Sequence, residues 1–435
     1  MPDQILESRQ EDIDTRRNWL PLAAWCSYDW ANSAFSTVIT TFIFSVYFSQ
    51  AVASAPIEGT ILWSRAVAVA GLIVALTSPL LGAIADFSGP RKPWLLAFST
   101  VCVALTGSLW FVQPDSRFVF LALGLFAMAS ISYQFAIIFY DAMLKSIAPR
   151  EMLGRVSGWG WAAGYAGGLL CLILCLWIVQ SNGSGVLGLD ATKAEPVRAT
   201  TLLVASWFAV FSMPLFLLVP DRPASGAGLW GATKAGLQRI PNMLAMLRHN
   251  PPIARFLVAH MLYTDGLVTL FAFGGIYAAA EFGMTTAQIL VFGIVLNIAA
   301  GAGAAGFAWV DDAIGSKNTI MIALAGLVVC TTGLLLARTD WLFWLLAIIL
   351  GLFVGPAQAA GRSLMARLAP AGIETEIFGL YALAGKATAF AGPLVLGLAV
   401  QLLGSQRAGM TIIIAFLLCG LIVLTSVKEP NTKGN

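Results

Sequence analysis

The residues with the most chemical potential in this chain are charges placed where lipid-compatible side chains belong. Asp29 lies within Tyr28-Asp29-Trp30-Ala31-Asn32-Ser33, and from Leu20 to Ala53 no other residue is charged. A charge near the centre of a membrane-spanning helix costs roughly 2.5–3.5 kcal/mol on insertion scales, so it must face protein or water. Asp29, Asn32, Ser33, Ser36 and Thr40 recur at the spacing of one α-helical stripe. Four further charges interrupt apolar runs: Asp141, Asp265, Arg362 and Lys386. Ser130, Gln134, Asp141 and Lys145 share a stripe, and Gln358 stands one turn from Arg362. Such a set could bind a charged or zwitterionic solute at the membrane midplane, with a carboxylate that exchanges a proton. It could equally be a set of ion pairs, Asp141–Arg362 or Asp29–Lys386, that lock helices together. His260 precedes Asp265 by five residues and so does not share its helix face. It is expected to be a packed histidine, with proton coupling as the sharper alternative.

The elements that must hold these residues are transmembrane helices. Of the 435 residues, 58% are hydrophobic and 11% charged, and the mean hydropathy is +0.82. A soluble domain carries about 25% charged residues, so this is a polytopic membrane protein. Apolar runs long enough to cross a bilayer lie near 21–52, 61–85, 94–112, 118–146, 155–180, 200–219, 253–280, 286–310, 318–337, 341–366, 377–403 and 409–427. The predicted fold is all-α, with twelve transmembrane helices in two six-helix pseudo-repeats. The predicted organisation is a cytosolic N-terminus (1–19), an N-terminal bundle (20–219), a central cytosolic loop (220–252), a C-terminal bundle (253–427) and a cytosolic tail (428–435). The loop includes a short amphipathic piece around Leu237–Leu247. Arg16-Arg17 anchor the first helix, whose apolar run is too long for a cleaved signal core.

Orientation follows from the basic residues. With the N-terminus inside, the outer segments hold only Arg117, Lys193, Arg198, Arg338 and Arg407 of the 25 lysines and arginines. That asymmetry predicts both termini in the cytosol. Counted from the cytosolic ends at about 1.5 Å per residue, Asp29 lies about 14 Å deep, Asp141 about 12, Asp265 about 20, Arg362 about 12 and Lys386 about 15 Å.

The composition excludes several classes. Two histidines and no His/Cys/Glu cluster argue against a metal. The cysteines, Cys171 and Cys175 among them, sit in apolar runs as packing residues. There is no P-loop, no dinucleotide-binding glycine pattern and no nucleophile–base pair, so neither an enzyme nor a cofactor is expected. The net charge of +3 is spread over loops and does not suit nucleic acid. The expected partners are a small solute, protons and the bilayer, with the chain working as a monomer.

The two halves repeat. Asp86-Phe87-Ser88-Gly89-Pro90-Arg91 follows the second run, and Asp312-Ala313-Ile314-Gly315-Ser316-Lys317 follows the eighth. Ile147-Ala148-Pro149 and Leu368-Ala369-Pro370 close the fourth and tenth, while Glu151 to Gly154 and Glu376 to Gly379 open the fifth and eleventh. Asp29 with Phe35 matches Asp265 with Phe271. Six plus six helices in parallel repeat is the architecture of the major facilitator superfamily. Gly89 and Gly315 allow the tight turn of a short loop, and an aspartate at a helix end can cap the N-terminus of a neighbour. Likeness to that superfamily implies that helices one, four, seven and ten line the cavity. It also implies that these loops meet the starts of helices eleven and five. Glu376 would then pair with Arg91 and Glu151 with Lys317 in a cytosolic gate. Gly160, Gly164 and Gly168, with Gly293, Asn297 and Gly301, are small or polar stripes expected at the interface that slides.

Specific stretches narrow the resemblance. They are Tyr28-Asp29-Trp30-Ala31-Asn32-Ser33-Ala34, Phe139-Tyr140-Asp141-Ala142, Gly154 to Gly160 with Gly164-Tyr165, and Tyr263-Thr264-Asp265-Gly266. Gln358, Arg362-Ser363-Leu364 and Phe378 to Tyr381 with Gly385-Lys386 and Gly392-Pro393 complete them. From residue 18 to 427 the chain resembles the vacuole-effluxer family of autophagy-related permeases. Fungal members of that family are associated with amino-acid efflux from the vacuole. The short loops are like those of bacterial members, which implies a bacterial cytoplasmic membrane. Asp141 stands where members often carry Asn. Phe87 replaces the loop motif's usual basic residue, which implies a weaker gate in the N-terminal half.

The resulting expectation is a secondary transporter working by alternating access, with amino acids or similar zwitterions as leading cargo. Asp29, Asn32, Gln134, Asp141, Asp265, Gln358, Arg362 and Lys386 would line its site. Arg362 and Lys386 would hold an anionic group, and Asp29 or Asp265 an ammonium group or a proton. The alternatives are a sugar, nucleoside or drug-like cation as cargo, or a sensor with this fold and no flux.

Overall fold

A computed structural model describes residues 19–181, 188–223, 245–389, 391–403 and 405–430, with 231, 233, 234, 236 and 238 between them. Arg16-Arg17, most of the amphipathic piece of the central loop and the last five residues lie outside the described residues. In chain order the helices are α1 (Trp19–Val52), α2 (Pro56–Ser88), α3 (Lys92–Phe111), α4 (Ser116–Ile147), α5 (Arg150–Ser181) and α6 (Glu195–Leu218). The second set is α7 (Pro251–Phe282), α8 (Thr286–Ile314), α9 (Ser316–Leu336), α10 (Asp340–Leu368), α11 (Glu374–Ala387 and Ala391–Leu403) and α12 (Gln406–Thr425). Among the described residues eleven helices are long and apolar enough to cross a membrane, and α12 contributes a shorter apolar stretch, Gly409–Thr425.

Packing repeats with the sequence. In the first half α1 packs on α5 and α6, and α4 on α2 and α3. In the second, α7 packs on α11 and α12, and α10 on α8 and α9. The halves meet where α2 lies along α11 and α5 along α8. These seams need glycine. A Cβ at Gly82 would collide with Thr375 O, one at Gly379 would lie 2.6 Å from Ser78 O, and one at Gly158 2.6 Å from Ala304 O. Close backbone approach of this kind replaces the hydrophobic effect, which cannot drive helix association in lipid.

Two helices depart from regular geometry. In α1, residues Phe35–Phe42 form a π-helix, with Ile43 N–H bonded to Val38 O at 2.9 Å. The wider turn rotates the polar stripe by about one residue. It turns Thr37 and Thr41 towards the interior instead of the expected Thr40. In α11 the apolar run expected to be continuous breaks after Ala387. Pro393 accounts for this, since it lacks the N–H that would bond to residue 389 and its ring crowds that carbonyl.

Candidate functional site

The polar face of α1 and the C-terminal thirds of α4 and α10 converge on one guanidinium. Arg362 Nη1 lies 2.9 Å from Asp29 Oδ2 and 3.2 Å from Asp141 Oδ1. Arg362 Nε donates to Ser157 Oγ at 3.0 Å and Nη2 to Ser157 O at 2.7 Å. The guanidinium carbon sits 4.7 Å over the Trp25 ring and 5.6 and 5.7 Å from the rings of Tyr140 and Trp161. A delocalised cation of this kind stacks on aromatics and fills its donor fork at once, which an ammonium cannot do. Trp25 and Tyr140 lock each other in turn. Trp25 Nε1 donates to Tyr140 O, Tyr140 OH donates to Trp25 O, and their rings stack at 4.3 Å.

Gly160 leaves the space for this cluster. A Cβ there would lie 2.5 Å from Asp29 Oδ2 and 2.8 Å from Arg362 Nη2. Gly164 and Gly168 likewise face Ser33 and Thr37. The glycine stripe expected at the seam between halves therefore faces α1 instead, where it lets the polar stripe of α1 press against α5. Gly154 and Gly158, half a turn or more away, serve the seam with α8.

Above the cluster lies a chamber of about 370 Å³. Ser33, Ser36, Thr37, Thr41 and Phe42 supply one wall, Trp161, Gly164 and Tyr165 another, and Phe271, Asn297 and Gln358 the rest. Ser33 and Gln358 each stand one turn from Asp29 and Arg362, so the chamber begins about 5 Å beyond the charges. Among the described residues none that lines it is charged. Tyr165 OH donates to Gln358 Oε1 at 2.6 Å. Asn32 Nδ2 reaches Asp29 Oδ1 at 3.4 Å. Gln134 Nε2 reaches Ser130 Oγ at 3.3 Å, while its buried Oε1 has no partner.

Asp265 and Lys386 do not join the charged cluster. Asp265 is buried elsewhere on α7, and neither residue forms an ion pair among the described residues. The expected Asp29–Lys386 pair is replaced by Asp29–Arg362, because α10 rather than α11 faces α1 at this depth. His260 stacks on Tyr381 at 3.9 Å and bonds Tyr263 OH at 3.0 Å.

On the face where α1 begins and α12 ends, two polar clusters cross between the halves. Asp86 accepts from Thr375 Oγ1 at 2.7 Å, from Glu376 N at 2.8 Å and from Arg91 Nη2 at 3.1 Å. Arg91 also bonds Glu374 at 3.0 Å and Ala142 O at 2.8 Å, and is only 1% exposed. In the other seam Asp312 accepts from the backbone N–H groups of Gly154 and Arg155 and from Arg155 Nε at 2.6 Å. Each aspartate thus caps the first turn of a helix in the opposite half. The expected side-chain pairs are different. Arg91 meets Glu374, two residues short of Glu376, because the turn at Gly372 starts α11 at residue 374. Lys317 does not reach Glu151. Its Nζ caps Thr425 O, and its backbone N–H bonds Glu429. Arg367 supplies the guanidinium beside Asp311 and Asp312. Gly89 and Gly315 adopt φ of +99° and +91°, the turns their loops require.

The sequence reading missed Ser157, Trp25, Trp161, Glu374 and Arg367. It also missed a repeat signal. Asp221 after α6 binds the N–H groups of Arg91 and Lys92, just as Glu429 after α12 binds those of Ser316 and Lys317. An acid just past both sixth helices was the available clue.

The chain is similar to known proteins in sequence and in fold. The model of the Atg22-like vacuole effluxers matches residues 58–152 and 145–435. The chain belongs to this effluxer family. It is 25% identical over 412 residues to the uncharacterized MFS-type transporter YxiO of Bacillus subtilis (strain 168), covering 94% of this chain and 95% of that protein. It is 24% identical over 306 residues to autophagy-related protein 22 of Yarrowia lipolytica, covering 63% of this chain and 51% of that one. The chain thus spans about half the length of its fungal relatives. Among solved structures it resembles the proton:xylose symporter XylE, with a TM-score of 0.76 at 14% identity over 96% of this chain and 98% of that chain. It also resembles FucP, with a TM-score of 0.74 at 13% identity over 94% and 99%. The effluxer fold is therefore that of the major facilitator superfamily. The protein is an integral membrane transporter rather than an enzyme.

Proposed function

We propose that the protein is a secondary active transporter that works by alternating access and moves a small polar or zwitterionic solute, with amino acids as the leading class. The observation that carries this is a polar chamber between the halves, shut at one face by Asp86/Arg91/Glu374 and Asp312/Arg155/Arg367 and floored by a buried Asp29–Arg362–Asp141 cluster. A volume of about 370 Å³ is at the small end of ligand sites and suits a solute of amino-acid size. The family's description as vacuole effluxers supports the amino-acid reading. The basic residues orient the shut face to the cytosol, in a bacterial cytoplasmic membrane.

The chamber's hydroxyls, amides and aromatics would meet the solute first. A carboxylate on the solute would then compete with Asp29 and Asp141 for Arg362. The cluster holds two carboxylates against one guanidinium, so displacing either leaves an anion that a proton can neutralise. Asp29 is the residue assigned this exchange. A second reading, a neutral solute such as a sugar, is favoured by the absence of any charge in the lining.

Uptake into proteoliposomes, with and without an imposed proton gradient, separates these readings when an amino-acid mixture is set against monosaccharides. Asp29→Asn should abolish gradient-driven uptake while the protein still inserts and folds. Wild-type flux in that variant would overturn the assignment, and binding without accumulation would mark a sensor.

A further inference from the structure

We infer that Asp265 and Thr388 form a second site, for a monovalent coupling cation, in the C-terminal half and apart from the Asp29–Arg362–Asp141 cluster. This rests on the transport reading for its purpose but not for its geometry. Asp265 is 1% exposed, and its Oδ2 has no hydrogen-bond partner. Thr388 stands at the break in α11, with its Oγ1 also buried and unpartnered. That hydroxyl is turned towards the Asp265 carboxylate but falls short of hydrogen-bond geometry. The Thr388 hydroxyl is thus the polar neighbour of the Asp265 carboxylate, at a longer reach than a formed hydrogen bond.

Among the described residues the surroundings supply no counter-charge. On α7, His260 is bonded to Tyr263 and Thr264. On α11, Lys386 is two residues from Thr388, a spacing that puts the two on different sides of the helix. The part of α12 packed at Gly266 is apolar, Phe416 and Leu417. Arg362 on α10 is committed to Asp29, Asp141 and Ser157. An isolated buried carboxylate is costly unless something neutralises it.

The local backbone suits a cation. At the break Ala389 N–H bonds Lys386 O and Ala391 N–H bonds Thr388 O, so the carbonyls of Gly385 and Ala387 no longer pair with these N–H groups as they would in an unbroken helix. Gly392 lets α11 close on α7, since a Cβ there would collide with Thr269 Oγ1 and lie 2.9 Å from Asp265 O. Broken helices whose carbonyls line a cavity are a recurrent way to hold Na⁺ or H⁺ in transporters. The shared chemistry is one positive charge on Asp265, delivered either as Na⁺ coordinated by carboxylate, hydroxyl and carbonyl oxygens or as a proton on Oδ2.

The test needs no transport substrate. The purified full-length protein in detergent is treated with dicyclohexylcarbodiimide, an apolar reagent that modifies protonated carboxyls in apolar sites, and the adduct is mapped by peptide mass spectrometry. In parallel, thermal unfolding is followed in NaCl against choline chloride at equal ionic strength, for wild type, Asp265→Asn and Thr388→Val. For Na⁺, the wild-type midpoint rises in NaCl, the rise is lost in Asp265→Asn and reduced in Thr388→Val, and NaCl protects Asp265 from modification. For a proton, Asp265 is modified, NaCl neither protects it nor shifts the midpoint, and modification declines as pH is raised. No modification of Asp265, together with the same NaCl response in wild type and both variants, overturns the site. Because wild type and Thr388→Val both report, failure of Asp265→Asn to fold leaves the test intact. Absence of flux in proteoliposomes would refute the transport reading and leave these outcomes unchanged.

Discussion

Replacing Arg362 with Met tests what holds the centre of the molecule together. The side chain binds Asp29 at 2.9 Å and Asp141 at 3.2 Å, and both carboxylates are only 12% exposed. Met fills the guanidinium's stem volume but leaves two carboxylates close together and unpaired. Breaking a buried pair by removing one partner costs about 3–5 kcal/mol, because the stranded charge keeps its desolvation penalty. Here two charges are stranded, so Arg362→Met should lie at the upper end of that range. Asp141→Asn is the opposite perturbation. It removes the excess negative charge and leaves one carboxylate on one guanidinium, so it should fall within about 1 kcal/mol of wild type, the scale of one net hydrogen bond. Combining Arg362→Met with Asp29→Asn and Asp141→Asn should recover most of the loss. Unfolding in mixed micelles, followed by tryptophan fluorescence, measures all of these. An Arg362→Met protein as stable as wild type would refute the reasoning. So would an Asp141→Asn protein as damaged as Arg362→Met, since the damage would then not follow net charge.

The other predictions concern the seam and the chamber. Gly82→Ala puts a methyl group against Thr375 O. Overpacking of about 1–3 kcal/mol would raise the population open at that face by about fivefold or more, read as faster maleimide labelling of a cysteine introduced at the buried Ser78. An unchanged labelling rate would mean that the seam does not separate. Tyr165→Phe removes the 2.6 Å bond to Gln358. Loss of about 0.5–1.5 kcal/mol should raise KM roughly 2–10-fold with little change in kcat, and an unchanged KM would remove Gln358 from the solute site.

Much of the fold was legible because it rests on properties local to each run. Apolar length, loop charge and matched motifs are all one-dimensional, and they carried the bundle and its repeat. The site was legible only in part. Depth along a helix can be counted, which put Asp29, Asp141 and Arg362 at similar levels. Azimuth cannot be counted so safely. The π-turn in α1 shifts its stripe from Thr40 to Thr41, and the break ahead of Pro393 interrupts the run expected to continue to residue 403. Asp265 matches Asp29 in the repeat, yet its surroundings differ, since an aromatic box with a guanidinium surrounds one and a broken helix faces the other. Repeat symmetry predicts backbone position but not which side chain of the opposite half arrives there. The same limit explains the exchange of Glu374 for Glu376. The loop motif specified that Asp86 would meet a helix start, but the residue that opens the helix depends on the turn at Gly372.

The placement of charge argues for a division of labour along the transport axis. Arg362 belongs to the second half, while Asp29, Asp141 and Ser157 belong to the first, so the central cluster is itself a bond between halves. If the halves rock about this contact, displacement is least there and greatest at the ends. The end clusters must then break in each cycle, and they are built for it. Each joins a buried arginine, Arg91 or Arg367, to a partly exposed one: Arg222, which bonds Glu374 at 2.8 Å, is 28% exposed and Arg155 is 30% exposed, so water can enter from the rim as the contacts part. The central cluster has no such partly exposed arginine, is aromatic-boxed and is one charge out of balance. A contact of that kind is expensive to open and cheap to bias by adding one positive charge. A proton or the cationic end of a solute, arriving on the floor of an uncharged chamber, supplies that bias where a small change in pairing acts on both halves at once.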